Sequence, residues 1–212
     1  MSLKKPFTLK NHFDKEKEEI YEILFCFIAC GIIGWAFETI IVLVQLGRIT
    51  DRGILFISHI NDFPFVWGLP FIMIYGIGGA ILIWCFKPLA HKPILLFFSS
   101  IIIMTSFEYL TAVFCEVVLK QKLWDYSEHF MNFQGRICLS SSINWGILSI
   151  LAVKVLGPFF LKIYNKIKAR EILHAIIVFT VIYILICYYL RPIMFPEIIE
   201  ELGRIAVMSM YP

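Results

Sequence analysis

Five long apolar runs, separated by short polar stretches, set out the plan of this chain. The first follows the charged stretch DKEKEE (14–19) and covers 20–46. That exceeds the roughly twenty residues a bilayer requires, so it predicts a helix that tilts or protrudes. The second, 63–86, is interrupted by Pro64, Gly68, Pro70, Gly76, Gly78 and Gly79, which predicts a kink, a short break or close helix contact. Further helices are expected over 93–119, 137–161 and 171–190. Between them lie a loop at 47–62, a short turn at 87–92, a polar loop at 120–136 and the basic turn KIYNKIKAR at 162–170. Beyond 190, Pro192 and Pro196 break the helix, and IIEELGRIAVM has the character of an interfacial segment. The expectation is an all-α integral membrane helical bundle of about five transmembrane helices, with a Gly/Pro-rich second helix. Residues 1–19 form a polar lead-in, 20–190 a single transmembrane domain and 191–212 a tail.

Composition agrees with this plan. Of 212 residues, 59% are hydrophobic and 17% charged, with mean hydropathy +0.80. A soluble domain of this size needs a far more charged surface. The six cysteines (26, 30, 85, 115, 138, 187) lie in or beside apolar segments without CxxC spacing, as small hydrophobic fillers do. The first run lacks a small-residue cleavage signature and reads as a retained helix.

Charge placement matters more than the net +3. With five spans, one side holds Lys4, Lys5, Lys10, Lys15, Lys17, Lys87, Lys92, Lys162, Lys166, Lys168 and Arg170. The other holds Arg48, Arg52, Lys120, Lys122, Arg136, Arg191 and Arg204. The excess of basic residues predicts a cytoplasmic N-terminus, with loops 47–62 and 120–136 external. The same rule accounts for the basic turn, so no nucleic-acid partner is expected.

The chemistry sits where polar residues enter the apolar runs. Glu38 lies eight residues from Leu46, about 12 Å along a helix. Glu108 and Glu116 are eight apart in the third run, and Ser140 and Asn144 share a face of the fourth. A charge at mid-membrane costs about 2.5–3.5 kcal/mol on insertion scales, so these carboxylates need partners, water or protons. Arg52 and Arg136 are the cations on the same side. Together they predict a substrate-binding, outward-opening polar cavity lined by Glu38, Arg52, Glu108, Glu116, Arg136, Ser140 and Asn144, rimmed by Trp124, Asp125 and Tyr126. The alternative is a buried charge network that fixes helix packing. Lys154, read as within two turns of the inner end of the fourth helix, can snorkel to the headgroups. His59 with Asp62, and His129 with Asp125 and Glu128, form no compact ligand pattern, so neither a metal nor a cofactor is expected.

Several stretches carry a family resemblance: GIIGWAFET (31–39), DRGIL (51–55), IYGIGGA (74–80), FEYLTAVFCE (107–116), LWDYS (123–127) and NFQGRICLSSSINWG (132–146). Together and in this order, they resemble the putative type IV ABC-transporter permease family of small bacterial multi-pass membrane proteins. The resemblance covers about 28–151 and implies weight on Gly34, Trp35, Glu38, Arg52, Gly53, Tyr75, Gly76, Glu108, Tyr109, Glu116, 124–127 and 135–139. This chain departs from the family pattern at ISHINDFPFVWGLPFIMIYG, a longer connection that lacks the usual Gly-Pro turn.

A transport component is therefore the leading expectation. The sequence contains no Walker A motif, so ATP-driven transport calls for a separate ATPase, a further membrane subunit or a homodimer. A membrane-embedded enzyme acting on a lipid-linked substrate is the second reading, with Glu38, Glu116 and Asp125 as acid or base and Arg52 and Arg136 holding phosphate. No nucleophile–base pair stands out, so the balance leans against an enzyme. An accessory or sensor subunit, docking through WDYS and GRICL, is the third.

Overall fold

The computed structural model describes residues 9–46, 56–60, 63–118, 120, 122 and 124–194. Helix α1 runs unbroken from Leu9 to Leu46. At about 57 Å it is nearly twice the hydrocarbon thickness, and its candidate membrane span, Asp14–Ile41, opens with the charged stretch 14–19. Two short strands follow, β1 (Phe56–Ile60) and β2 (Phe63–Trp67), paired antiparallel with Phe56 opposite Trp67 and Ile60 opposite Phe63.

The expected second helix is thus shorter than 63–86. Its first residues form β2 because Pro64 drives Phe63 out of helical geometry and the segment is aromatic and β-branched. Helix α2 spans only Met73–Cys85, about 20 Å. It runs antiparallel against α1, and the irregular 68–72 segment packs back on α1 at Gly31. Gly79 lies against Cys30, and Gly34 against the Tyr75 side chain. The Ile72 amide donates to the Gly31 carbonyl at 3.1 Å, and Phe71 is fully buried against α1 and α6.

A 3-10 turn (Lys87–Leu89) leads into α3 (Pro93–Val117), with proline where its missing N–H costs no bond. Helix α4 (Leu139–Leu151) passes through a π turn (Ala152–Leu156) into α5 (Gly157–Lys166), and these form one 28-residue span. Pro158 explains the turn. It offers no N–H to the Lys154 carbonyl and its ring would strike it, while the π turn lets Gly157 N–H reach the Ala152 carbonyl. The fourth span therefore continues to Lys166, not 161. Helix α6 (Arg170–Met194) closes the bundle.

Among the described residues, four helical spans are long and apolar enough to cross a membrane, with α2 as a shorter fifth. The protein is an all-α multi-pass membrane bundle. Its lipid-facing surface is correspondingly oily, with Ile94, Ile102, Leu110 and Phe179 each at least 65% exposed. The core between α1, α2, α3 and α4 holds Cys26, Cys30, Leu82, Met104 and Trp145. Alternating chain direction gathers the C-termini of α1 and α3 and the N-termini of α2 and α4 at one end, the loop end. The proposed interfacial segment after 194 lies outside the described residues.

Candidate functional site

The loop from 124 to 138 is built by its small polar side chains. Asp125 Oδ1 accepts from the Ser127 amide (2.9 Å) and hydroxyl (2.6 Å). Asn132 Nδ2 donates to the carbonyls of Ser127 and His129, and its Oδ1 accepts from the Gly135 amide. Tyr126 N–H donates to the Gly135 carbonyl, and Phe133 N–H to that of Ile137. Gly135 has φ +66°, and a Cβ there would lie 2.6 Å from the Ser127 hydroxyl, so the loop closes only around glycine. Lys122 caps the arrangement with an ion pair to Asp125 at 2.6 Å. Hydrogen bonds from the Lys122 ammonium and the Ser127 hydroxyl hold the Asp125 carboxyl down to a pKa of about 2.

Two acidic residues of α3 tie this loop to the bundle. Glu108 is only 4% exposed and accepts from three groups. The Tyr126 hydroxyl reaches Oε1 at 3.1 Å, the Ser141 hydroxyl lies 2.7 Å from both oxygens, and the Trp145 indole N–H reaches Oε2 at 3.1 Å. Burial, and then the Glu108 charge, push the Tyr126 phenol above its ordinary pKa. Two turns further along, Glu116 Oε2 accepts from Arg136 Nε at 3.0 Å and Nη2 at 2.6 Å. Both side chains remain about one-quarter exposed. Arg136 Nη1 also donates to Gln134 Oε1, which accepts from the Tyr109 hydroxyl at 2.9 Å. The guanidinium lies 5.7 Å from the Tyr109 ring centre, and Trp124 Nε1 donates to the Arg136 carbonyl. Its pairing with Glu116 raises the Arg136 pKa.

The residues singled out in the sequence thus fall into separate groups. Glu108 and Tyr126 meet, as do Glu116, Arg136 and Trp124. Glu38 lies on the α1–α2 seam, accepting from the Tyr75 hydroxyl at 2.6 Å. Ser140 and Asn144 are exposed on α4, with Ser140 Oγ 3.2 Å from the Cys138 sulfur. Arg52 lies outside the described residues. Sequence reasoning missed Ser141 and Trp145 as the partners of Glu108. They share the i, i+4 spacing of Ser140 and Asn144 one residue earlier, and only packing against α3 selects which pair turns inward. It also missed Tyr109 and Gln134, whose link depends on the loop's path.

A second polar cluster at the opposite end was not anticipated. The Tyr164 hydroxyl donates to Glu18 at 2.7 Å and lies 3.0 Å from His174 Nε2, while the His174 ring stacks on Tyr21 at 3.7 Å. This ties α1, α5 and α6 together.

Beside the loop, a groove of about 440 Å³ opens between α3 and α4, lined by Ile101, Thr105, Tyr109, Phe133, Ile137 and Ser142 among others. Glu38, Glu108, Glu116 and Arg136 are not part of its lining. Among the described residues, no three His, Cys, Asp or Glu side chains are grouped to hold a metal ion. Chemically, the loop end offers a guanidinium that is paired but reachable, held by a loop whose own hydrogen bonds are closed.

Residues 25–191 match the family described as "Putative ABC-transporter type IV". No curated protein and no solved structure matches the chain at a significant level.

Proposed function

The chain belongs to the putative type IV ABC-transporter family, and from that premise we propose that it is a membrane subunit of a transport assembly whose loop end receives the solute. A separate ATPase supplies the energy, because the chain carries no Walker A sequence. The loop end faces outward, in keeping with the excess of basic residues on the opposite side. The polar residues form the wall of an outward-facing site. Arg136 is its cationic contact, with Glu116 beside it, and Glu38, Arg52, Ser140 and Asn144 are further candidate contacts. Trp124, Asp125 and Tyr126 form the rim, and Glu108 is the buried post that holds the rim in place.

The observation that carries this reading is the Arg136–Glu116 pair, about one-quarter exposed on a loop pinned from below. A guanidinium has five N–H donors, and three atoms of this one are engaged by Glu116 and Gln134. The remaining N–H groups can donate to a carboxylate or phosphate oxygen of a ligand without breaking the pair. A thermal-shift screen of anionic solutes on wild type, Arg136→Ala and Arg136→Lys tests this. A solute that raises the unfolding temperature of wild type by several degrees, leaves Arg136→Ala unmoved and acts weakly on Arg136→Lys is the expected result. Equal shifts in all three proteins would remove Arg136 from the site, and no shift with any solute would favour an accessory subunit.

A further inference from the structure

Lys154 stands apart from the polar groups described above. It is the sixteenth of the 28 residues in the span Leu139–Lys166, hence at its midpoint, and its side chain is exposed. A span this long, about 42 Å, overshoots a hydrocarbon core of about 30 Å by a few ångströms at each end. The nearer headgroup level then lies more than 10 Å from Lys154 along the helix. A four-carbon stem reaching roughly 6 Å does not cover that distance. The continuation of the helix to Lys166 thus removes the snorkelling route that a helix ending at 161 would have allowed.

Its surroundings offer no counter-charge. Among the described residues no hydrogen bond or ion pair engages Lys154, and the exposed neighbours on its face, Ile147, Leu151 and Val155, are apolar. The backbone adds to the polarity, because Pro158 leaves the Lys154 carbonyl without its α-helical donor. Ser140 and Asn144, also exposed, continue the strip toward the loop end.

We propose that this outer face of α4 is the docking surface for a transmembrane helix of a different membrane protein, one that carries a carboxylate at mid-membrane to pair with Lys154. Charge selects the occupant. A second copy in a two-fold contact would set Lys154 against Lys154. Nor does this chain supply the carboxylate from elsewhere in its spans. Glu38 is bonded to Tyr75, Glu108 to three donors, Glu116 to Arg136 and Glu18 to Tyr164, while Asp14, Glu16, Glu19, Glu22 and Glu171 lie toward the ends of their spans away from the loop. Only a foreign helix with an acidic residue satisfies the ammonium in hydrocarbon. The inference deepens the transport-assembly reading by describing a partner, yet its test needs no transport and so fails independently.

The test uses the full chain in phosphatidylcholine vesicles, labelled near the loop end. The probe is a polyleucine transmembrane peptide with one central glutamate, compared with the same peptide bearing central leucine or lysine. Energy transfer should show the glutamate peptide binding at least about tenfold more tightly than the leucine peptide. Lys154→Met should abolish that preference while keeping helicity and elution volume, and Lys154→Glu should transfer it to the lysine peptide. Asn144→Leu, on the same face but uncharged, should keep the glutamate preference. Equal binding of glutamate and leucine peptides to wild type, or an unchanged preference in Lys154→Met, would overturn the proposal, the former pointing to lipid phosphate as the partner of Lys154 and the latter to a different cation of the chain as the partner of the glutamate.

Discussion

Glu108 shows how one residue sets a site's shape. A buried carboxylate with three converging donors is costly to disturb, since each donor left without an acceptor loses about 1–3 kcal/mol. Glu108→Ala should therefore lower stability by about 3 kcal/mol or more, while Tyr126→Phe, which removes one donor, should cost about 1 kcal/mol. Thermal unfolding of the detergent-solubilised protein checks both. If Glu108→Ala unfolds at the wild-type temperature, the carboxylate does not hold the loop. The presence of Glu108 in a helix was plain from the chain, and so was its need for a partner. Which residues answer that need was not, because Ser140 with Asn144 and Ser141 with Trp145 have identical spacing.

At the scale of elements, the α1–α2 seam is the tightest contact in the bundle. A Cβ on Gly31 would lie 2.0 Å from the Phe71 ring, and one on Gly34 2.3 Å from the Tyr75 Cβ. These glycines let the Ile72 amide reach into α1 and bring the Tyr75 hydroxyl to Glu38. Gly34→Ala should force the helices apart at a cost of about 1–3 kcal/mol and detach Tyr75 from Glu38. The signature is a lowered unfolding temperature, with Tyr75→Phe then adding little to the loss in the double variant; full additivity of the two would show that the seam and the hydrogen bond are independent. Helix α6 supports the same seam. The Tyr183 hydroxyl accepts from the Gly68 amide and the Tyr188 hydroxyl from the Met73 amide, so two tyrosines serve the entry to α2, where no side chain of its own caps the helix.

For the whole molecule, direction in the membrane is the property that a transport role depends on most. Single cysteines placed at Glu128, in the exposed part of the loop, and at Lys168, in the basic turn, distinguish the two orientations. In a Cys85→Ser background, an impermeant maleimide added to intact cells should label the Glu128 position and leave the Lys168 position untouched. The reverse pattern would place the loop inside and move the proposed solute site to the cytoplasm.

The hydrophobic pattern by itself determined that this is a helical membrane protein, the approximate positions of its spans, and which residues are too polar for their depth. Those follow from transfer energies that act on each segment separately. It misjudged the second span, because the pattern cannot show that residues 63–67 find a strand partner in 56–60 or that Phe71 packs back against α1 and α6. It also ended the fourth span too early, since Lys162 and Lys166 look like a boundary while the π turn around Pro158 carries the helix through them. Pairing was decided only by tertiary structure. Glu108 with Ser141 and Trp145, Glu116 with Arg136, Glu38 with Tyr75, and Lys154 left alone on an oily face depend on the rotation of each helix against its neighbours. Helix rotation is a balance over the whole bundle, and no single segment encodes it.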